Sequence, residues 1–228
     1  MIDPHTVSLS SIEGSAYVRF SLLALSSIFF LVDPFAALPT FLAVTAGQDP
    51  KKRVRTARKA SLTAFVILTT FAVAGTYIFR IFGITLPAFE IAGGIILLLI
   101  GLDMLEAKRS PTQESPDETQ EATAKDDVGI VPMGIPMLAG PGAITSVMVL
   151  VGQAQTKWQM AAIFGSITIT AAICFLVLGS AARVARMLGE TGIRILVRIM
   201  GLLLVALAVQ YFVNGFQDLG VIAKLSGS

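Results

Sequence analysis

Apolar residues fall along this chain in long runs, not in the alternating or every-third-or-fourth rhythm of a soluble fold. Six runs stand out, at 20–45, 60–82, 86–106, 129–153, 159–182 and 195–215. Each is long enough for a helix of about 20 residues to cross a hydrocarbon core of about 30 Å. Lipid offers the backbone no hydrogen-bond partner, so helix is the form these runs must take. The pattern predicts an all-α polytopic membrane protein with six transmembrane helices. The first run is expected to be retained, not cleaved as a leader. No Lys or Arg precedes Arg19, and the run is too long and too proline-broken for a signal h-region.

The segments between runs are short, with one exception. Residues 107–128 (AKRSPTQESPDETQEATAKDDV) are polar, rich in Pro, Ser, Thr and Glu, and without periodicity. They read as a flexible linker. It separates a first half, 20–106, from a second, 129–215, with tails at 1–19 and 216–228. Composition agrees. Hydrophobic residues make up 54% and charged residues 14%, against about 45–50% and about 25% in soluble domains. A cytosolic enzyme, a disulfide scaffold and a disordered chain are excluded, and no enzymatic activity is expected. A net charge of +2 gives no footing for nucleic acid. One Cys and one His give none for a disulfide or a multi-His metal site, so no metal or cofactor is expected.

Orientation follows from Lys and Arg placement. If the loops alternate sides, one side holds the run Lys51, Lys52, Arg53, Arg55, Arg58 and Lys59, the linker's Lys108, Arg109 and Lys125, and Arg183, Arg186, Arg194 and Arg198. The other side holds only Arg19, Arg80, Lys157 and Lys224. The basic side is expected to be cytoplasmic. Both termini then face outward and the 107–128 linker lies inside.

Shifting the chain by 107 residues lays Pro34 on Pro141, Ala36 on Ala143, Thr63 on Thr170, Ala64 on Ala171 and Gly94 on Gly201. In each half the first run carries the prolines, and the third carries Gly inside an aliphatic stretch. Three crossings per half is odd, so the second copy must enter the membrane from the opposite face. The expected plan is two inverted three-helix repeats, each with its first helix broken, as in many secondary transporters.

The chemistry concentrates at those breaks. The first run reads SSIFFLVDPFAALPTFLAVTAG, with Asp33 near its middle. A carboxylate at the centre of a spanning helix costs about 2.5–3.5 kcal/mol on insertion scales, and such residues usually serve a function. Pro34 and Pro39 follow, and the carbonyls of Phe30 and Phe35 are expected to lose their helical partners. The fourth run, GIVPMGIPMLAGPGAITSVMVL, carries Pro132, Pro136 and Pro141 with Gly134, Gly140 and Gly142, and Thr145 one turn later. Two broken helices in matching positions point to a midplane site. The free N–H groups after each break suit a carboxylate. The freed carbonyls and Asp33 suit a cation, either Na⁺ or H⁺. The expected site is Asp33, Pro34, Pro39, Thr40, Gly140, Pro141, Gly142 and Thr145. A plainer role, Asp33 capping the half-helix that follows it, is compatible with this.

Other positions say less. Glu90 and Arg80 are expected near the outward face, free to snorkel or pair. Asp103 lies near the cytoplasmic end of the third run. Cys174 is expected to be packed or lipid-facing. Gly93, Gly94 and Gly201 suit close helix packing, and the small-residue faces of the third and sixth runs permit a homodimer.

DPFAALPTF (33–41), AGGIILLLIGLDML (92–105), IVPMGIPMLAGPGAIT (130–145) and LGETGIRILVRIMGLLLVALAVQYFVNG (188–215) together resemble the MarC family of six-span bacterial inner-membrane proteins. That family includes SnatA-like neutral amino-acid transporters and is similar to the wider LysE-type superfamily. The resemblance covers nearly the whole chain outside the tails and linker. It implies ion-coupled transport of a small neutral amino acid, together with the family's association with multiple antibiotic resistance. The family's first motif usually reads Asp-Pro-aliphatic-Gly-Asn-x-Pro, and Ala36 and Ala37 stand here in place of the Gly and Asn.

Three functions compete on these features. The first is a transporter or exporter of small neutral solutes. The second is a lipid-carrier translocase, which would want Lys or Arg at mid-depth for phosphate; the nearest, Arg80, Arg194 and Arg198, lie near run ends. The third is an intramembrane aspartyl protease using Asp33 and Asp103. That chemistry needs the two carboxyls about 3 Å apart, and the two residues sit at different depths. The first reading explains most.

Overall fold

The computed structural model describes residues 9–106, 129–131 and 133–222. The 107–128 linker, Pro132 and the outermost tails lie outside the described residues. Every regular element among the described residues is helical. We number the α-helices α1 (Leu9–Val32), α2 (Leu38–Val44), α3 (Pro50–Phe82), α4 (Leu86–Leu105), α5 (Pro141–Gln153), α6 (Lys157–Gly179) and α7 (Ala181–Asp218), with an irregular π-type segment, Met133–Leu138, ahead of α5.

Four of these, α3, α4, α6 and α7, are long and apolar enough to cross a membrane. The first and fourth apolar runs instead form shorter pieces. The first is α1 followed by α2, and the fourth is the π-type segment followed by α5. The helices also overrun the apolar bounds. α1 starts at Leu9, well before residue 20, and α7 continues to Asp218.

Local sequence sets the ends. Asp49 precedes α3 and Pro50 opens it, where a missing N–H costs nothing. Gly83, at φ 63°, closes α3 in the left-handed conformation that glycine tolerates. Thr85 caps α4 by accepting from Ala88 N at 3.4 Å. Thr156 and Gln159 form a capping box at α6: Gln159 N donates to Thr156 Oγ1 at 3.2 Å, and Thr156 N donates to Gln159 Oε1 at 3.1 Å. Only Ser180 separates α6 from α7. The expected loop carrying Arg183 and Arg186 is therefore helical, and the bend falls at Gly189 (φ 63°, ψ 175°).

The packing buries small residues and turns large ones outward. α3 presents Ala57, Ala60, Ala64, Leu68 and Ala72 to the interior, one per turn, while Leu62, Val66, Val73 and Tyr77 face out. Apolar side chains facing out along a spanning helix are what lipid solvates. α4 packs most closely on α7. The other main pairs are α3 with α6, α1 with α6, α3 with α5, α3 with the Met133–Leu138 segment, α4 with α5, α1 with α5, and α2 with α7.

The α4–α7 contact brings backbone against backbone. A Cβ at Gly201 would lie 2.8 Å from Met104 Cβ and 2.9 Å from the Gly101 carbonyl oxygen. A Cβ at Gly94 would lie 3.0 Å from the Ala208 carbonyl oxygen. The small-residue faces that the sequence leaves open for a homodimer are thus occupied within the chain. Helices in lipid associate through such close contact, because burial of apolar surface gives little there. Gly201→Ala is expected to destabilise by about 1–3 kcal/mol, the usual cost of overpacking a rigid contact. Gly165→Ala, whose Cβ meets nothing within 4 Å, is the control. Thermal unfolding of the purified variants checks it, with a lowered midpoint in the first only.

Candidate functional site

The first break is built by Asp33 and Pro34. The last α1 bond runs from Asp33 N to Phe29 O at 3.0 Å. Pro34 then has no N–H to offer the Phe30 carbonyl. Asp33 itself takes φ 37°, a region that Asp tolerates better than most residues. Its Oδ1 accepts from Phe35 N at 3.2 Å and from Ala36 N at 3.1 Å. The chain then turns through Ala37 N to Asp33 O (3.4 Å) and Leu38 N to Phe35 O (3.2 Å), and regains helix with Phe41 N to Ala37 O (2.9 Å).

This corrects the sequence reading in two places. The Phe35 carbonyl is not freed, because Leu38 N takes it. The N–H groups after the first break are not open to a ligand either, because Asp33 Oδ1 occupies them. Asp33 does cap the turn, and it does more than that. The residue is 7% exposed, and Oδ2 is buried without a hydrogen-bond partner. One oxygen holds the backbone and the other is left over.

The second break has the opposite character. Ile135, at φ −134° and ψ 128°, interrupts the Met133–Leu138 segment. Wide turns flank it, with Ile135 N to Ile130 O at 2.9 Å and Ala139 N to Gly134 O at 3.0 Å. Gly140, extended at φ −73° and ψ 172°, stands at the N-cap of α5 with no side-chain cap. Pro141 has no N–H. The amides of Gly142 and Ala143 open α5 without a side-chain acceptor, and both residues are buried.

The two breaks approach each other. A Cβ at Gly142 would lie 3.6 Å from Leu31 Cδ2, two residues ahead of Asp33, and 2.9 Å from Leu97 Cδ2 of α4. Of the expected site residues, Asp33, Pro34, Thr40, Gly140, Gly142 and Thr145 are buried and Pro141 is half-buried. Pro39 is exposed, in the first turn of α2. Thr145 packs its methyl group tightly on Gly93, which makes it a helix-packing residue as well. From α6, Cys174 is fully buried and lies within electrostatic reach of Asp33. Thr170, one turn earlier on the same face, has a buried hydroxyl with no partner.

A second polar cluster escaped the sequence reading. Glu90 was expected near the outward face, snorkelling or paired. It is 0% exposed. Its Oε1 accepts from Gln153 Nε2 at 2.9 Å, and its Oε2 is buried without a partner. Ser146 is also fully buried with its hydroxyl unpartnered, and Tyr211 lies within interaction range of both Ser146 and Glu90. The signal was present. Glu90 shares one helical face with Gly93, Gly94, Leu97 and Gly101, and a stripe of small residues marks a packed face, not a solvated one.

On the side of the first basic run, a cavity of about 1010 Å³ is lined by Lys51, Lys52, Arg55, Arg58 and Lys59 of α3, with Val54 and with Phe175 of α6. Five of the six Arg and Lys residues that opened the topology argument, all but Arg53, therefore line an open space at the N-terminal end of α3.

Comparison with known proteins fits this picture. Residues 18–219 match the family described as "MarC family integral membrane protein". The chain is 40% identical to the UPF0056 membrane protein MJ1677 of Methanocaldococcus jannaschii, over 88% of this chain and 97% of that one. It is 36% identical to YvbG of Bacillus subtilis, over 85% of this chain and 92% of that one. It is 33% identical to YhcE of Escherichia coli, over 84% and 89%. No solved structure matches. With its apolar helices, its two breaks and a family match along nearly the full length, this chain is a multi-pass membrane protein that belongs to the MarC family.

Proposed function

We propose that this protein is a secondary transporter of small neutral amino acids in the cytoplasmic membrane. The observation that carries the reading is the pairing of unlike breaks. One presents a buried carboxylate oxygen with no partner, Asp33 Oδ2. The other opens a helix with the uncapped amides of Gly142 and Ala143. An amino acid is a zwitterion. Its ammonium group suits Asp33, and its carboxylate suits the positive N-terminal end of α5. A coupling Na⁺ or H⁺ would answer the same Asp33 charge when no ammonium is present.

The helix pairs support six crossings arranged as two inverted repeats, with α1 plus α2 as the first crossing and the Met133–Leu138 segment plus α5 as the fourth. Exchanging the halves carries the α1–α6 pair onto the pair of the Met133–Leu138 segment with α3, and the α2–α7 pair onto α4–α5. It carries α3–α6 and α4–α7 onto themselves. Broken helices facing each other at the repeat interface are the usual setting of a substrate site in such transporters.

Asp33→Asn is the decisive variant. Asn tolerates the same backbone angles and its amide oxygen can keep the bonds to Phe35 N and Ala36 N, so the break survives and only the charge is lost. Uptake of neutral amino acids into proteoliposomes is expected to fall more than tenfold, equivalent to over about 1.4 kcal/mol of binding. Unchanged uptake would remove Asp33 from the mechanism.

Ligand chemistry gives a second check. A ligand that binds only the folded protein raises its melting temperature. Free amino acids are expected to do so, while their methyl esters and N-acetyl derivatives, each lacking one charge, are not. Stabilisation by lipid phosphates instead would favour a lipid-carrier translocase.

Orientation is testable because the single Cys174 is buried. A membrane-impermeant maleimide is expected to label Ser226→Cys in intact cells. It should label Ser110→Cys, in the linker, only after permeabilisation.

A further inference from the structure

We infer that Glu90, packed between α4, α5 and α7, is a second ionic site of this chain and that its ligand is a proton. The inference concerns a group that the substrate reading above does not use.

The surroundings of Glu90 are closed. A Cβ at Gly215 of α7 would lie 2.9 Å from the Pro87 carbonyl oxygen and 2.7 Å from Ile91 Cγ1, so α7 covers α4 on both sides of this position. A Cβ at Gly152 of α5 would lie 2.7 Å from Leu86 Cδ1. Within that enclosure the carboxyl has one neutral donor, Gln153 Nε2, and one oxygen with none. The titratable groups facing it are Tyr211 and Asp218, both from α7. α5 carries no titratable residue, and α4 carries no Lys or Arg. The last Arg of α7, Arg198, is thirteen residues before Tyr211, or about 20 Å along a helix. Among the described residues no Lys or Arg pairs with it: Arg80 of α3, whose neighbour Phe79 packs on Phe89 at 4.9 Å, is exposed, and a carboxylate anion here would have a second acidic group, Asp218, nearby. Burying an unpaired charge in that way is among the costliest arrangements a fold can hold.

The ligand that relieves this is a proton and not a metal cation. A sodium ion in a transporter draws much of its shell from unwound backbone carbonyls. α4 is continuous at Glu90, so its carbonyls there are committed to the helix; α5 ends at Gln153, where Ala154 N takes the Val151 carbonyl at 3.3 Å. Gln153 points its amide nitrogen at Glu90, which turns its oxygen away. A proton needs one acceptor only. Bound to Oε2 it neutralises the group, and Oε1 keeps its bond from Gln153. The hydroxyl of Tyr211, within interaction range of Glu90, is a group able to exchange it.

The Glu90–Gln153 bond joins residues 63 positions apart, on opposite sides of the linker. Proton binding therefore acts on a contact between the two halves. If the transport reading holds, Glu90 is where a pH gradient enters the cycle, at a place separate from Asp33.

Infrared spectroscopy of the purified protein in lipid tests this. The native protein at neutral pH is expected to show a carboxylic-acid carbonyl band that is lost in Glu90→Gln, along with labelling by dicyclohexylcarbodiimide. A native protein without that band, or a band unchanged in Glu90→Gln, overturns the inference. Should Glu90→Gln not fold, Gln153→Leu keeps the acid and removes its donor. The band then shifts to higher frequency, and an unshifted band overturns the inference. In proteoliposomes, Glu90→Gln is expected to keep amino-acid binding and lose accumulation driven by a pH gradient. A Glu90 acid band in a protein that binds no amino acid would leave the proton site standing and remove the transport reading.

Discussion

The bond from the backbone N–H groups of Phe35 and Ala36 to Asp33 Oδ1 is what allows the rest of this architecture. Inside a bilayer every peptide group must find a partner within the protein. A helix broken at mid-depth violates that rule unless something replaces the lost bonds. Pro34 removes one donor, and the turn that follows exposes others. The Asp33 side chain reaches forward two and three residues and takes the exposed N–H groups. Without it, α1 and α2 would have to fuse into one rod or leave the membrane interior. The carboxylate is a structural necessity of the break first. Because it has two oxygens and the break needs one, it is also a source of unbalanced charge.

The second break solves the same problem without a charge. Pro141 and glycines at 140 and 142 let the chain turn sharply, and the wide turns from Ile130 to Ile135 and from Gly134 to Ala139 take up donors there. No side chain closes the start of α5. The two solutions leave opposite residues behind, an acceptor at one break and donors at the other. Leu31 against Gly142 brings them into one region. The chemistry of the two breaks diverges where the first has Asp33-Pro34 and the second has Gly140-Pro141.

Much of this was legible in the sequence, for identifiable reasons. Run length and lipid's lack of hydrogen-bonding groups dictate helices, and Pro34 and Pro141 dictate where two of them break. Gly94 and Gly201 announce close packing, although the sequence could not say whether the partner was another chain or the other half of this one. Asp33 was legible because a carboxylate in the middle of an apolar run is costly unless it caps a break or meets a ligand. Three features were not. The fate of the Phe35 carbonyl depends on whether the chain turns tightly enough for Leu38 N to reach it. Pro39 is exposed because α2 restarts at Leu38 and rotates it outward. The chain passes from α6 to α7 through Ser180 alone and bends at Gly189, at positive φ inside α7, so no loop marks the connection in the sequence.

Glu90 carries the broader lesson, because its distance from the end of α4 gave the wrong answer. One turn inside a spanning helix, a Glu is ordinarily close enough to the interface to reach water. What decides its fate is the direction of its face. Gly93, Gly94 and Gly101 fix that face against α5 and α7, so the carboxyl is enclosed although it is shallow. Depth sets the cost of a charge exposed to lipid, and packing sets its access to solvent, and the two vary independently. In this chain Asp33 sits in a backbone break and doubles as a cap. Glu90 sits on an intact helix and accepts one bond from Gln153, on the other side of the linker. A carboxylate beside unwound backbone suits ligands that need several oxygens or a salt partner. A carboxyl on an unbroken helix, with one donor and one hydroxyl near it, has room in its chemistry for a proton and nothing larger.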